Sequence, residues 1–200
     1  LRNDNIANWA AAIWLGSRDT KQARAALQAS PGDYFSTNFF GGPKAVFEAL
    51  TYEMEGSHDA ARAKWEVALQ VINKRLAEDP NKTPLLNQKA QFLARLDRKS
   101  EAEEAARIVR QLVGSKEPTE VDLFFSVAMG RANEAIAQLE VWEQAGWISN
   151  ELRIRLRFDP HFDSLRGHPR FEALLVEPKT KRDQKTEVGE QKPNAPAQKK

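Results

Sequence analysis

The chain has 200 residues, of which 41% are hydrophobic and 29% charged, and it contains no cysteine. This length allows one large domain or two small ones, and the lack of cysteine excludes disulfides, thiolate metal sites and thiol nucleophiles. The longest apolar stretch, near residues 10–15, is far shorter than the roughly 20 residues that a membrane-spanning helix requires. We therefore expect a soluble, cytoplasmic protein with no membrane segment.

The positive charge of the chain lies at its C-terminal end. Residues 177–200 contain seven Lys or Arg residues and four acidic ones, a net charge of +3, whereas the whole chain carries +2. This end also contains three prolines and little apolar surface to offset the entropy cost of ordering. We predict a disordered basic tail over 177–200, and we do not expect nucleic-acid binding, because the rest of the chain has no basic excess.

Helical periodicity dominates the sequence before this tail. Apolar residues recur at spacings of three and four, which predicts amphipathic helices and no β-strands. In chain order, the predicted helices cover about residues 6–16, 20–30, 43–56, 59–79, 84–96, 98–114, 118–129 and 130–146. Turn-forming residues separate consecutive helices, so the unit of the sequence is a helix pair that occurs about four times.

The helix pairs share a pattern of small and bulky residues. Each has a small or bulky apolar residue within its first helix, a turn residue, an early alanine in its second helix and bulky residues further along. The pattern reads Ala11, Trp14, Arg18, Ala23, Leu27 in the first pair, Ala49, Tyr52, Gly56, Ala61, Trp65, Ala68 in the second, Ala90, Leu93, Asp97, Ala102, Ala106, Val109 in the third, and Leu123, Gly130, Ala135, Leu139, Trp142 in the fourth.

This pattern resembles the tetratricopeptide repeat (TPR) family. The resemblance implies an all-α fold, a right-handed superhelical solenoid of about four TPR-like helix pairs with a C-terminal cap of short helices. It implies one repeat domain over residues 1–176, with the cap at about 147–176.

The segment after the fourth pair resembles the end of TPR regions in bacterial multidomain signalling proteins, where the region follows a Ser/Thr kinase, a nucleotide cyclase or a DNA-binding domain. Its apolar residues lie among the helix breakers Asp159-Pro160, Gly167 and Pro169, which predicts short helices. We expect these residues to cover the last helix pair on the face that carries Leu139 and Trp142. They are Phe158, Phe162, Leu165, Phe171, Leu174 and Leu175.

The TPR resemblance implies a groove lined by the first helix of each pair. Helical spacing from the packed positions places eight candidate ligand-binding residues on the exposed face of those helices. They are Asn8, Val46, Leu50, Glu53, Asn87, Gln91, Glu120 and Phe124. Asn and Gln side chains can bind the backbone of an extended peptide, although simple solvation would also explain them. The basic residues of the family's carboxylate clamp are replaced by Glu53 and Glu120, which disfavours an acidic C-terminal ligand.

Other candidate sites have weaker support. The three histidines, His58, His161 and His168, lack metal-binding spacing and are interpreted as solvated surface, so we expect no metal and no cofactor. Arg153, Arg155 and Arg157 do not share one helix face, which disfavours an anion-binding stripe.

An aromatic insertion over residues 34–40 is the least routine feature of the chain. It contains Tyr34, Phe35, Phe39 and Phe40. Aromatic residues near a helix junction most often complete the core, but a ligand platform remains open as the alternative.

These observations favour a non-catalytic scaffold that binds a protein or peptide, and we expect it to be the regulatory or sensory region of a larger bacterial signalling protein. The first residue is Leu1 rather than Met, so an output domain could precede it. The alternative is a small-molecule or enzymatic site built around residues 34–40.

Two truncations distinguish the predicted cap from the predicted tail. Truncation after Glu151 should cause aggregation or partial unfolding of the fourth helix pair, because it exposes the apolar face that the cap covers. Truncation after Val176 should leave the thermal midpoint nearly unchanged. Thermal melts with light scattering measure both, and a cooperative, soluble protein ending at Glu151 would contradict the cap prediction.

Overall fold

A computed structural model describes residues 3–35, 41–114 and 119–176, apart from the side chains of residues 3–9, 120 and 121. Residues 177–200, which contain the predicted tail, and residues 36–40 of the aromatic insertion lie outside the described residues. Disorder of the tail therefore stays a prediction, as does the role of Phe39 and Phe40.

The described part of the chain is mostly helical, as the all-α prediction requires. Its helices are α1 (Asn3–Gly16), α2 (Thr20–Gln28), α3 (Lys44–Met54), α4 (His58–Glu78), α5 (Thr83–Arg95), α6 (Lys99–Val113), α7 (Glu120–Ala128), α8 (Ala132–Gln144), α9 (Asn150–Phe158), a 3₁₀ helix (Pro160–Leu165) and α10 (Pro169–Leu175). Two short strands, β1 (Tyr34–Phe35) and β2 (Gly42–Pro43), pair antiparallel between α2 and α3.

The same turn closes each of the first four helix pairs. A residue with positive φ follows the first helix, and the next amide donates to a carbonyl five residues earlier, as in the Schellman motif. The positive-φ residues are Arg18 (67°), Gly56 (70°), Asp97 (60°) and Gly130 (71°). The amides of Asp19, Ser57, Arg98 and Arg131 each make this hydrogen bond at 2.9 Å. The turn reverses the chain, so the two helices of a pair pack on each other: α1 on α2, α3 on α4, α5 on α6 and α7 on α8.

A buried alanine lies near the start of the second helix in every pair. Ala23, Ala102 and Ala135 are fully buried, and Ala61 is 3% exposed. A methyl group at this position lets two helices approach closely, which a longer side chain would prevent. The predicted role of these alanines thus agrees with their burial.

The junctions between pairs are not all alike. At the first two junctions the second helix of one pair packs on the first helix of the next, α2 on α3 and α4 on α5. At the third junction α7 packs on α5. The outer face of α6 is therefore covered differently from the outer faces of α2 and α4.

The aromatic insertion begins with a β-ribbon that the sequence did not predict. Tyr34 pairs with Pro43 and Phe35 with Gly42, so each strand has only two residues, too few to show an alternating pattern. Phe35 is 2% exposed and packs edge-on against Phe47, with ring centroids 5.6 Å apart. The described half of the insertion therefore contributes to the core at Phe35.

The C-terminal segment shares one core with the fourth helix pair. Of the six apolar residues predicted to cover Leu139 and Trp142, all but Phe158 belong to the same buried cluster as those two residues. Phe158 is 48% exposed, so the prediction was wrong for that residue. It is the last residue of α9, where the chain turns toward Asp159 and leaves the ring at the surface.

Overpacking tests the alanine positions. Ala61→Leu should lower the free energy of unfolding by about 1–3 kcal/mol, because the added atoms have no space at a close helix contact. The control is Ala63→Leu, whose side chain is exposed on the same helix. Urea unfolding followed by circular dichroism measures both variants, and equal midpoints would show that the assigned repeat register is wrong.

Candidate functional site

Four of the eight candidate groove residues line one cavity. Val46 of α3, Asn87 and Gln91 of α5 and Phe124 of α7 border a space of about 370 Å³, which we call the central cavity. Three helices from successive pairs thus bring the predicted residues together. The side chains of the remaining outer candidates, Asn8 and Glu120, lie outside the described residues.

The α3 candidates are more buried than the sequence analysis assumed. Val46 is 7% exposed and Leu50 2%. Leu50 and Glu53 border a second, smaller cavity of about 200 Å³ that also contacts residues 160–164. They are not free surface, because the C-terminal segment lies over this end of α3.

Glu53 has a packing role in addition to its place on the predicted groove. Its carboxylate accepts a hydrogen bond of 2.8 Å from the Trp65 indole and pairs with Arg95 at 3.0 Å. Trp65 is 2% exposed, and its N–H needs a partner in that position. The glutamate therefore supports the α3, α4 and α5 packing and is not available as an open ligand contact.

The 3₁₀ helix Pro160–Leu165 crosses the groove. It contacts α3, α7 and α8, and it lies between the central cavity and the smaller one. His161 lines both cavities, and its imidazole packs edge-on against Phe124 at 5.6 Å. The prediction of a solvated His161 was wrong, because burial of this residue depends on a fold-back that the local sequence does not encode.

Asp159 holds His161 in this position. Its carboxylate lies 2.7 Å from His161 Nδ1 and accepts a hydrogen bond of 3.0 Å from the His161 amide. Burial by itself would raise the pKa of Asp159, but the electrostatic attraction of His161, the hydrogen bonds from it and the charge of Arg155 together outweigh burial, so the pKa lies below its usual value. Asp159 and His161 therefore line the central cavity with an ionised carboxylate that is paired within the same segment.

The far end of the same segment is tied to the first helix pair. Arg18 forms a two-pronged ion pair with Asp163, one contact of which is 2.6 Å, and Arg166 donates to the same carboxylate at 2.8 Å. Burial would raise the pKa of Asp163, but hydrogen bonds from the two arginines lower it below the usual value. The turn of the first pair is thereby connected to a segment that follows the fourth.

The three arginines of α9 are engaged within the protein. Arg153 is 4% exposed, pairs with Glu143 through both carboxylate oxygens at 2.7 and 2.5 Å, and donates to the Leu174 carbonyl. Arg157 donates to the Leu175 carbonyl at 2.6 Å, so both arginines stabilise the end of α10. Arg155 lies over the Phe124 ring at 5.4 Å, on the wall of the central cavity. This arrangement gives no support to an anion-binding stripe.

Two side-chain oxygens at the central cavity have no hydrogen-bond partner. Gln88 Nε2 donates to the Gly41 carbonyl at 3.0 Å, which leaves Gln88 Oε1 buried without a donor. Asn87 Oδ1 is also buried without one. Buried acceptors normally have partners, so N–H or O–H groups of a ligand would satisfy these two oxygens once the amide side chains turn toward the cavity. The sequence analysis did not identify Gln88, because it lies one position beyond the named helix face.

The described residues show few features of other kinds of site. Across 3–35, 41–114 and 119–176, no cluster of three or more His, Asp or Glu residues is arranged to hold a metal ion. In the same part of the chain, no helix combines the length and apolarity needed to cross a membrane.

Comparison of the chain with protein-family models, curated proteins and solved structures gave no match. The candidate site therefore rests on its own geometry.

Removal of the Asp163 carboxylate tests the tie between the first helix pair and the C-terminal segment. Asp163→Asn should lower the free energy of unfolding at pH 7 by about 0.5–1 kcal/mol, as expected for a partly exposed pair with good geometry. Because the folded-state pKa is lowered, the carboxylate stabilises the fold above its unfolded pKa of about 4. The difference between variant and parent should therefore shrink as the pH falls below about 4.

Urea unfolding from pH 7 to pH 3 measures this dependence. Asp97→Asn is the control, since the Asp97 side chain is 78% exposed and asparagine tolerates the left-handed turn. An equal loss of stability in the two variants would argue against the tie.

Proposed function

We propose that the chain is a TPR-like, non-catalytic scaffold that binds a short peptide segment of a partner protein in the central cavity. The observation that carries this proposal is the convergence of Val46, Asn87, Gln91 and Phe124 on one cavity beside the unpaired oxygens of Asn87 and Gln88. Apolar walls with a few placed polar groups are typical of a ligand site.

The repeat pattern supports the TPR part of the proposal. The same Schellman-type turn recurs at Arg18, Gly56, Asp97 and Gly130, and each is followed by a buried alanine in the next helix. A right-handed solenoid would bring the first helices of successive pairs to one side, which is where the cavity residues originate. The changed packing of α7 on α5 and the C-terminal fold-back distinguish this chain from a regular array.

A peptide backbone has the groups that the cavity lacks. Its N–H groups can donate to Asn87 Oδ1 and Gln88 Oε1, while an apolar side chain can contact Val46 and Phe124. The volume of about 370 Å³ and the imidazole of His161 limit the ligand to a few residues at this point. We therefore expect a short bound segment rather than an extended peptide along the full row of helices.

The charges at the cavity do not favour an acidic peptide terminus. Among the described residues that line the central cavity, one is an arginine, Arg155. The guanidinium group of Arg155 already packs over the Phe124 ring. Asp159 contributes a negative charge beside it. An uncharged segment with backbone donors fits this lining better.

The wider context is part of the same proposal. The similarity of the segment after the fourth pair to the ends of TPR regions supports a cytoplasmic regulatory or sensory role in a larger bacterial signalling protein. Binding at the central cavity would then select the protein that such a region recruits.

A small-molecule ligand is the second candidate. Gly41 and Gly42, which follow the aromatic insertion, border the central cavity. A compact molecule with two hydrogen-bond donors would satisfy Asn87 and Gln88 equally well. Because Phe35 is a core residue, the ligand would occupy the cavity rather than stack on that ring.

Peptide selection tests the proposed function. Peptides selected from a displayed random library should bind with roughly micromolar affinity, as small grooves that must order their ligand do. Asn87→Ala, Gln88→Ala and Gln91→Ala should each weaken binding about five- to tenfold, the effect of one lost hydrogen bond.

Gln70→Ala, an exposed change on α4, is the matched control and should leave affinity unchanged. Isothermal titration measures affinity, and circular dichroism checks that each variant is folded. Binding that none of the three cavity variants weakens would contradict the proposed site.

A further inference from the structure

A third and larger cavity lies between α6 and α8, with α7 as its floor. It has a volume of about 650 Å³, and we call it the α6–α8 trough. Its α6 wall is one helical stripe, Glu103, Ala106, Arg110 and Val113. Its α8 wall is another, Glu134, Ala137, Gln138 and Val141, and Phe125 and Ser126 of α7 lie between them.

The trough results from the changed junction after the third helix pair. The outer faces of α2 and α4 carry the first helix of the next pair, α3 and α5. Because α7 packs on α5 instead, the corresponding stripe of α6 faces a cavity. The fold thus leaves a position with helical walls on two sides.

The two walls run in the same direction. Arg131, which precedes α8, pairs with Glu103 near the start of α6, so the N-terminal ends of these helices lie side by side. Val113 and Val141, both more than two turns further along, line the same cavity. The trough therefore has a charged end at Glu103, Arg131 and Glu134 and an apolar end at Val113 and Val141.

The apolar end is open to solvent. Val113 is 51% exposed, Val141 59% and Trp147 62%, and all three line the trough. Scattered exposed apolar residues are ordinary, but a cluster around one cavity marks an interaction site. A drug-sized ligand is usually 70–90% enclosed by its pocket. Residues that stay half exposed around the trough suit a partner that brings a covering surface of its own.

The lining of the trough as a whole is net negative. The described lining contains three carboxylates, from Glu103, Asp122 and Glu134, and two guanidinium groups, from Arg110 and Arg131. Glu134 is the most exposed of them at 64%, and its contact with Arg131 is long at 3.9 Å. A cationic side chain on the partner would therefore find an accessible carboxylate at Glu134.

We propose that the α6–α8 trough binds an amphipathic α-helix of a partner protein. The apolar stripe of that helix contacts Val113, Val141 and Trp147, and a Lys or Arg at one of its ends pairs with Glu134. This mode, a helix in an apolar groove, needs anchors at spacings such as i, i+3 and i+7.

The volume of the trough corresponds to part of such a helix. Ten residues of helix are about 15 Å long and about 10 Å wide, which corresponds to a cylinder of roughly 1,200 Å³. The trough, at about 650 Å³, would hold about half of that volume. The opposite face of the bound helix would remain in solvent, consistent with an amphipathic partner.

This site is separate from the peptide function proposed for the central cavity. The two cavities share the lining residues Asn87, Val109 and Val113, whereas Glu134, Val141 and Trp147 line only the trough. Variants at these three residues therefore test the trough without touching the central cavity.

A displayed library of amphipathic helical peptides provides the probe. The peptides have about 15 residues, a length at which isolated helices begin to be stable, with Leu fixed at i, i+3 and i+7 and Lys at one end. Selected peptides should bind the full chain, and binding should shift the emission of Trp147. The shift should be smaller in Trp147→Phe, and what remains should come from Trp142, which also lines the trough.

The variants should separate the trough from general surface attraction. Val141→Asp and Trp147→Ala should each weaken the selected peptide about tenfold or more, as expected for central apolar anchors. Val67→Asp is the matched control, since Val67 is an exposed valine of α4 at 44%, and Gln91→Ala controls for the central cavity. Both controls should bind like the parent. Glu134→Lys should weaken binding, and Lys→Glu in the peptide should restore it.

Several results would overturn the proposal. They are the failure to select any helical peptide, equal losses in Val67→Asp and Val141→Asp, or unchanged binding of a peptide with a central proline. Loss of binding in Gln91→Ala but not in Val141→Asp would show that the peptide binds in the central cavity and not in the trough. If only the trough variants lose binding of the helical peptide, the trough proposal is supported. This holds even if no peptide is selected that binds the central cavity.

Discussion

The insertion of residues 159–165 between α3, α7 and α8 is the constraint on which the described site depends. Phe162 and Leu165 are fully buried in the core of the fourth pair, and Asp163 of the same short helix pairs with Arg18 in the first turn. Since apolar burial contributes about 25 cal/mol per Å², two such side chains hold the segment far more firmly than the exposed ion pair does. The ion pair instead ties the segment to the turn of the first helix pair.

The fold-back changes what the groove can accept. It covers Leu50 and Glu53, places His161 between two cavities and leaves the amide oxygens of Asn87 and Gln88 beside the larger of these. An open row of helices would leave space for a long extended segment, whereas here His161 separates two small cavities. The fold-back thus covers part of the row of helix faces on which the candidate residues lie.

The repeated turn and the irregular third junction have different physical origins. The turn depends on one residue with positive φ and one local hydrogen bond, so four loops of different sequence reach the same geometry. The junction depends on which helices bury the most surface together, and here α7 packs on α5. The turns within the helix pairs are therefore regular, whereas the junctions between pairs are not. The α6–α8 trough lies at the irregular third junction.

The sequence by itself determined the helices, their order and the small residues between them, because apolar periodicity and turn chemistry act within a few residues. It also placed Asn87, Gln91 and Phe124 on helix faces that meet at one cavity. Only the tertiary structure decided that Leu50 is covered, that His161 is half-buried and that Arg153 and Arg157 stabilise the end of α10. Those outcomes depend on contacts between residues that are far apart in the sequence, up to 145 positions for Arg18 and Asp163. A local sequence pattern covers only a few residues and cannot predict such contacts.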